Sequence, residues 1–254
     1  MKGALKARHL QYASVLAAVA SLLLWPARVA DAALFIFVGY FFFLAFGIAI
    51  GFHRGLSHRT LKGEHPFTWF CLYFGTLASL GKPVEWALIH RLHHQYSDQP
   101  QDPHSPKHQG FWRILTNTWN LSHLDARAAV KPQLVRDLFR MQSVMFFQRH
   151  YFSVIGGSIL LLALIGGWPA VLFGYFWPVA LTVFATSLVN SVCHLGGTAR
   201  DNTLVTWLTF GEGMHGMHHE LPKKINLSRG LSFDLAGFLM ARIGGRLEAL
   251  SGAE

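Results

Sequence analysis

The chain has 254 residues, 52% of them hydrophobic and only 14% charged, with a net charge of +9. That balance is too apolar for an ordinary soluble domain of this length and puts a membrane protein first. The basic residues are not gathered into a patch interleaved with aromatics, as a base-stacking surface requires, so nucleic acid is excluded as a partner.

In chain order, two apolar runs come first, at about residues 10–26 and 33–52, and a second pair follows at about 152–167 and 170–192. A bilayer core of about 30 Å needs about 20 helical residues, so these four read as spans, the first and third helped by tilt or flanking residues. Lys2, Lys6 and Arg8 precede the first run, but no small-residue cleavage site follows it, so it reads as a retained helix. Lysine and arginine stay on the cytosolic side. If both hairpins enter from there, only Arg28 of the 22 cations lies outside. Both termini are then cytosolic, as are the polar regions 53–151 and 194–254. The uncharged Gly166-Gly167-Trp168-Pro169 suits a tight external turn.

Phe67 to Leu80 is apolar but too short to span, which favours an interfacial or buried helix ended by Gly81-Lys82-Pro83. Phe233 to Leu250 sets Phe238, Leu239, Ala241, Ile243 and Leu247 among Arg242, Arg246 and Glu248, the pattern of an amphipathic helix. Cys71 and Cys193 form no CxxC pair and read as small buried hydrophobes. No repeat beyond the hairpin duplication and no linker divides the chain, so a single domain is expected.

The chemistry lies in histidines at or just past the cytosolic edges of the apolar runs. They are His53 and His58; His90, His93 and His94; the single His194; and His215, His218 and His219. Neutral imidazole is the commonest metal ligand, and one tetrahedral ion needs only four, so nine argue for two metals. In a helix each HxxHH trio shares one face. His53 and His58, five apart, point about 140° away from each other in an ideal α-helix. They therefore either flank a metal pair or belong to a helix that loosens near Gly55. Asn190 stands one turn before His194. Other frames fit worse. His219-Glu220-Leu221-Pro222-Lys223 lacks the second histidine of HExxH, and a carboxylate-bridged di-iron bundle needs more than the single Glu212–His215 pair. A metal transporter or an intramembrane haem carrier would put polar ligands inside the spans, which are almost free of them.

At these residues the chain resembles the membrane-bound fatty acid desaturases, specifically the stearoyl-CoA or delta-9 acyl-desaturase group. The matching segments are 51–59 (GFHRGLSHR), Trp86 to His94 with Asp102-Pro103-His104, 190–196 (NSVCHLG) and 211–219 (GEGMHGMHH). The resemblance covers about residues 33–250. It implies an all-α integral membrane protein: four transmembrane helices in two hairpins under a cytosolic helical cap that holds a dinuclear metal site. It further implies that the nine histidines bind two irons, for which zinc can substitute in purified protein, and that Asn190 reaches the metal through water. Asp102 and Glu212 are implied as outer groups orienting imidazole N–H donors. Ile89, Met214, Gly216 and Met217 depart from the family's usual residues, and this bears on the acyl carrier.

The activity implied is an O2-dependent desaturation that puts a cis double bond, delta-9 in the group resembled, into a saturated acyl-CoA or acyl-lipid chain. Electrons would come from a ferredoxin, rubredoxin or cytochrome b5 type donor. The setting implied is a lipid bilayer, with a bacterial inner membrane fitting the short chain. A di-iron hydroxylase or monooxygenase acting on a lipid or hydrocarbon is the competing function. Phe37 and Phe41 share a face about 18–24 Å below His53 and suit the blind end of an acyl tunnel. Lys107, Arg113, Lys131 and Arg149 are candidates to receive a phosphate-bearing carrier.

Overall fold

The computed structural model describes residues 2–61, 63–118 and 132–251. Its elements are helical, and two isolated bridges, Asp201 with Met214 and Arg229 with Ser232, are the only extended pairings among the described residues. Helix α1 (Lys2–Leu24) stops at Trp25 because Pro26 follows, and that proline instead opens the short α2 (Pro26–Asp31). Helix α3 (Ala33–Phe41) passes without a break into a segment from Phe42 to Ser57 whose turns close i→i+5.

Helix α4 (Pro66–Leu77) has Pro66 at its first position, and His65 Nδ1 accepts the Phe67 N–H at 3.1 Å as its cap. Like the i→i+5 segment, it is built for close approach. A Cβ on Gly47 would lie 2.5 Å from the backbone nitrogen of Gly75, one on Gly75 would lie 2.4 Å from the Phe52 ring, and Gly51 faces Cys71. Small residues one turn apart on both partners let the backbones touch, a common device between membrane helices. The short apolar stretch read from the sequence is therefore a helix clamped along the wider one.

Helix α5 (Pro83–Tyr96) carries the second histidine cluster; the short α6 (Pro106–Gln109) and α7 (Phe111–Leu115) follow it. Helix α8 (Gln142–Val171) begins ten residues before the apolar run read from the sequence and carries a non-helical Gly167 at φ 64°, ψ −160°, a conformation open essentially to glycine alone. There the chain folds back, so that Gly174 faces Leu162 and the Trp168 and Phe176 rings meet at 5.9 Å. A short i→i+5 stretch leads into α9 (Trp177–Val192). Three helical stretches, Ala7–Leu24, Ala33–Ser57 and Gln142–Val192, are long and apolar enough to cross a membrane, and the third contains this reversal.

One apolar core runs from Ala7 through Phe43, Leu72, Val144 and Tyr175 to Phe210. Outside it, Leu16, Leu23, Leu34, Leu164 and Ile165 expose most of their surface, as helices facing hydrocarbon do. Polar links also join the apolar helices. Trp177 Nε1 donates to Ser21 Oγ at 2.9 Å, and the Tyr73 and Ser158 hydroxyls meet at 2.9 Å. Helices α10 (Thr203–Leu208) and α11 (His215–Glu220) precede α12 (Leu235–Ser251). Helix α12 is amphipathic, with Ala236 and Met240 buried against Ala49, Ile50 and Cys71 and Phe238, Leu239 and Ile243 half-buried, but Ala241, expected among the apolar residues, faces out beside Arg242. The side chains of Arg246, Leu247 and Glu248 lie outside the described residues. Both cysteines are buried and unpaired, as expected.

The Gly47–Gly75 contact gives a direct test. Gly47→Leu has no space to enter without separating α4 from the histidine-bearing segment, and overpacking of this kind costs about 1–3 kcal/mol. Thermal unfolding in detergent should show a clear fall in Tm, whereas the same change at Gly156, which has nothing within 4 Å of its Cβ position, should leave Tm nearly unchanged.

A candidate dinuclear metal centre

The nine histidines expected as ligands converge from four parts of the chain into two groups. His53, His58, His90, His94 and His218 form one; His93, His194, His215 and His219 form the other, and within each group the ligand nitrogens lie within 4.8 Å of one another. The i→i+5 segment explains how His53 and His58 meet. Such a turn brings residues five apart onto one side, and His58 N–H donates to the His53 carbonyl at 3.2 Å with the two rings 5.1 Å apart. Wide turns of this kind cluster at functional sites. Of the two arrangements left open by the sequence, the loosened helix is the one adopted.

Within each group the rings turn Nε2 inward. Nε2 of His218 lies 2.9 Å from those of both His53 and His94, and His58 and His90 meet at 2.8 Å. In the second group His93 to His219 is 3.2 Å, His219 to His215 is 3.1 Å and His215 to His194 is 2.8 Å. Behind three of the nine rings Nδ1 faces a buried or nearly buried carboxylate. These contacts are His53 to Glu212 at 2.5 Å, His93 to Asp102 at 2.9 Å and His194 to Asp98 at 2.9 Å. A carboxylate behind an imidazole fixes its tautomer and leaves Nε2 bare.

Hydrogen bonds alone cannot satisfy the second group. His93 and His194 have spent their protons on Asp102 and Asp98, so His219 and His215 must each donate, one to either side. No proton is then left for the 3.1 Å contact between His219 and His215. A shared cation accepts all four lone pairs. Imidazole nitrogens about 2.0–2.1 Å from one ion and at right angles to each other lie about 2.9 Å apart, which is the spacing seen. The residues present thus fit a metal pair.

Electrostatics agree. Burial, then the neighbouring imidazoles, pushes the protonation of His90, His93, His94, His215 and His218 well below the ordinary histidine range, and that of His219 to about 3. These rings are neutral at physiological pH and ready to ligate. Burial alone would raise Glu212, but His53 and Arg54 outweigh it and hold the carboxylate below its usual value.

Several residues of this frame were not expected from the sequence. Arg54, 2% exposed, donates to Glu212 at 2.6 Å and to both oxygens of the fully buried Asp234 at 3.0 and 3.1 Å. Asp234 also accepts the Leu227 and Gly237 N–H groups, so it caps α12 while holding Arg54. Arg91 donates to the Leu56 and Ser57 carbonyls, where the i→i+5 segment ends, and to Asp137, which also holds Arg59. Each of these two arginines directly follows the first histidine of its cluster, a signal present in the sequence. Asp98 stands four residues before Asp102, and its backbone N–H donates to the Asp102 carboxylate at 3.0 Å. A tenth histidine, His104, is buried, with its ring 4.3 Å from that of His93.

A cavity of about 110 Å³ opens onto the centre, where His53, His90, His104, His215, Glu212 and Asn190 line it. Its remaining walls include Leu44, Ile48, Leu80, Trp86, Ile89, Ala185, Val189 and the amides Gln11 and Asn117. Phe37 and Phe41 are not among them. Their rings pack on Phe210 instead, and Phe37 is 52% exposed. The expectation counted α-helical turns down from His53, but the wider turns from Phe42 onward rotate Leu44 and Ile48 into that position. Lys107, Arg113 and Arg149 are exposed and do not line the cavity, and Lys131 lies outside the described residues.

Asp137 supplies a test of the frame. Burial raises its carboxyl, but the Arg91 and Arg59 hydrogen bonds and charges pull it well below the usual aspartate range. A depressed carboxyl contributes stability above its unfolded value of about 3.9 and loses it as pH falls further. Asp137→Asn should lower stability near neutral pH by about 1–2 kcal/mol and flatten the acid limb of Tm against pH. An unchanged acid limb would remove Asp137 from the frame.

Comparison with known proteins agrees with this geometry. The family model described as fatty acid desaturase matches residues 7–228. An sn-1 stearoyl-lipid 9-desaturase of Anabaena variabilis is 35% identical over 181 residues, covering 68% of this chain and 65% of its own length. Delta-9 acyl-lipid desaturase 2 of Arabidopsis thaliana is 36% identical over 182 residues, covering 68% and 59%. An acyl-CoA C20 Delta5-desaturase of Anemone leveillei is 34% identical over 182 residues, covering 68% and 58%. The chain thus spans less than two thirds of the length of these relatives. With the histidine groups, their carboxylates and the apolar helices all falling inside the matched region, the chain belongs to the fatty acid desaturase family.

Proposed function

We propose that this protein is a membrane desaturase that uses two irons and dioxygen to introduce a cis double bond, at delta-9, into a saturated fatty acyl chain. The observation that carries the reading is the pair of inward-turned histidine groups beside a cavity with Leu44, Ile48, Ala185 and Val189 in its wall. Relatives named as stearoyl-lipid 9-desaturases and delta-9 acyl-lipid desaturases support the regiochemistry and favour an acyl chain carried on a lipid.

His53, His58, His90, His94 and His218 would hold one iron, and His93, His194, His215 and His219 the other, with Asn190 acting through water. When bound, the irons with dioxygen supply the oxidising power that removal of hydrogen from an unactivated methylene requires and that no side chain possesses. The protein's own part is positional. Glu212, Asp102 and Asp98 keep three imidazoles in the ligating tautomer, Arg54 and Arg91 lock the segments that carry them, and the cavity wall lays the chain beside the centre. Each turnover consumes one O2, two electrons and two protons and releases two waters, the electrons arriving from an external carrier of the ferredoxin, rubredoxin or cytochrome b5 type.

The same single domain is proposed to sit in the bilayer as four spans, with the reversal at Gly167 separating the last two. A cytosolic cap, cytosolic termini and a bacterial inner membrane complete the reading. The exposed leucines on three apolar stretches and the single cation outside, Arg28, support it.

Two outcomes follow. Gas chromatography with mass spectrometry of fatty acids from cells expressing the wild type should show a new monounsaturated acid with its double bond at carbon 9, absent from the His93→Ala/His94→Ala control. A hydroxylated acid in its place would assign the chain to the hydroxylases. Asp98→Asn should keep the fold but lower metal occupancy or activity about 10–100-fold, as loss of a carboxylate behind a metal-bound histidine does, and wild-type occupancy and activity would exclude Asp98 from the centre.

A further inference from the structure

At Leu208–Gly211 neighbouring residues of one turn segment face the cavity on one side and exposed apolar surface on the other. Thr209 is fully buried and lines the cavity, while its neighbour Leu208 is 48% exposed. On the apolar side Leu204 and Trp207 are still more exposed, and Leu231 and Phe233 extend the same patch, with Trp207 Nε1 donating to the Leu231 carbonyl. The patch is continuous with α3, since Tyr40 donates to the Leu208 carbonyl at 2.5 Å.

Phe210 plugs this segment. Its φ is +57°, a left-handed conformation that is unusual for a bulky residue, and its ring packs on Phe37, Tyr40 and Phe41 at 5.3–6.2 Å. Its carbonyl accepts the Ala236 N–H at 2.8 Å, so the backbone is held from the α12 side while the ring is held from α3. Releasing the plug means giving up the ring contacts, the Tyr40 hydroxyl bond to Leu208 and the Ala236 N–H bond to Phe210, all at the junction between the end of α10 and the start of α12.

We propose that Leu208–Phe210 is a side door between the cavity and the bilayer, through which acyl chains carried by a membrane glycerolipid reach the histidine centre. The inference rests on the reading of the cavity as taking a lipid-borne acyl chain and adds the route. The occupant is lipid because the outer face of the door is apolar, carries a tryptophan suited to a bilayer interface and joins the exposed face of a helix long enough to span. Phe37, Tyr40 and Phe41 then act on the substrate path through the door.

The test uses the full-length protein in vesicles containing phosphatidylcholine with a diazirine in mid-chain, followed by photolysis and mapping of the labelled residues. Labelling needs no turnover, so it separates this inference from the desaturase reading. Phe210→Ala, and the milder Tyr40→Phe, which removes the bond to Leu208, should each raise labelling of Leu44, Ile48 and Ala185 several-fold over wild type. Labelling of Leu204 and Trp207 should not change. Cavity labelling that neither substitution alters would overturn the proposal. So would a cavity labelled only by a diazirine acyl thioester supplied in solution and never by the lipid.

Discussion

Everything else in this protein depends on holding nine imidazoles with their Nε2 atoms turned toward one another. Left to themselves these nitrogens offer more lone pairs than protons, and the His215–His219 contact is the place where the hydrogen-bond count fails. The arrangement persists because the backs of three rings face carboxylates and because burial keeps the rings of His90, His93, His94, His215, His218 and His219 uncharged. Glu212, Asp102 and Asp98 are thus as much a part of the centre as the histidines.

Glu212 brings a charge of its own, which Arg54 absorbs into the fold, while a second buried arginine, Arg91, pairs with Asp137. Arg54 joins the i→i+5 segment to Glu212, at the edge of the third cluster, and to Asp234, at the start of α12. Arg91 joins the second-cluster helix to the end of that same segment. Removing one partner of such a pair costs more than the pair is worth, because a buried charge is left alone. The glycine contacts between Gly47, Gly51 and α4 set the segment's position from the other side, so its wide turns are clamped along their length. Packing in the apolar layer is therefore linked to the spacing of His53 and His58 at the centre.

The sequence marked the nine converging histidines plainly, because histidines at HxxHH spacing beside apolar runs have few structural explanations. It also carried the four runs and the Gly166-Gly167 turn, since charge and glycine mark them locally. It did not carry the geometry of the first cluster, as no local preference announces a run of i→i+5 turns; only the awkward five-residue spacing of His53 and His58 hinted at it. The same wide turns displaced Phe37 and Phe41 from the cavity, an error that an α-helical count makes unavoidable. Asp98, Asp137 and Asp234 were hidden for a different reason. A lone aspartate in a loop looks like a turn residue until the buried partner across the fold is known.

The central claim is that the two histidine groups hold two metal ions, with imidazole nitrogen as the main protein ligand and no carboxylate among the direct ligands. The most direct measurement is metal analysis of protein purified from iron-supplied cells, combined with iron K-edge X-ray absorption on the same sample. Two irons per chain with a nitrogen-rich first shell is the result this account predicts. A single iron, or a shell dominated by carboxylate oxygen, would contradict it.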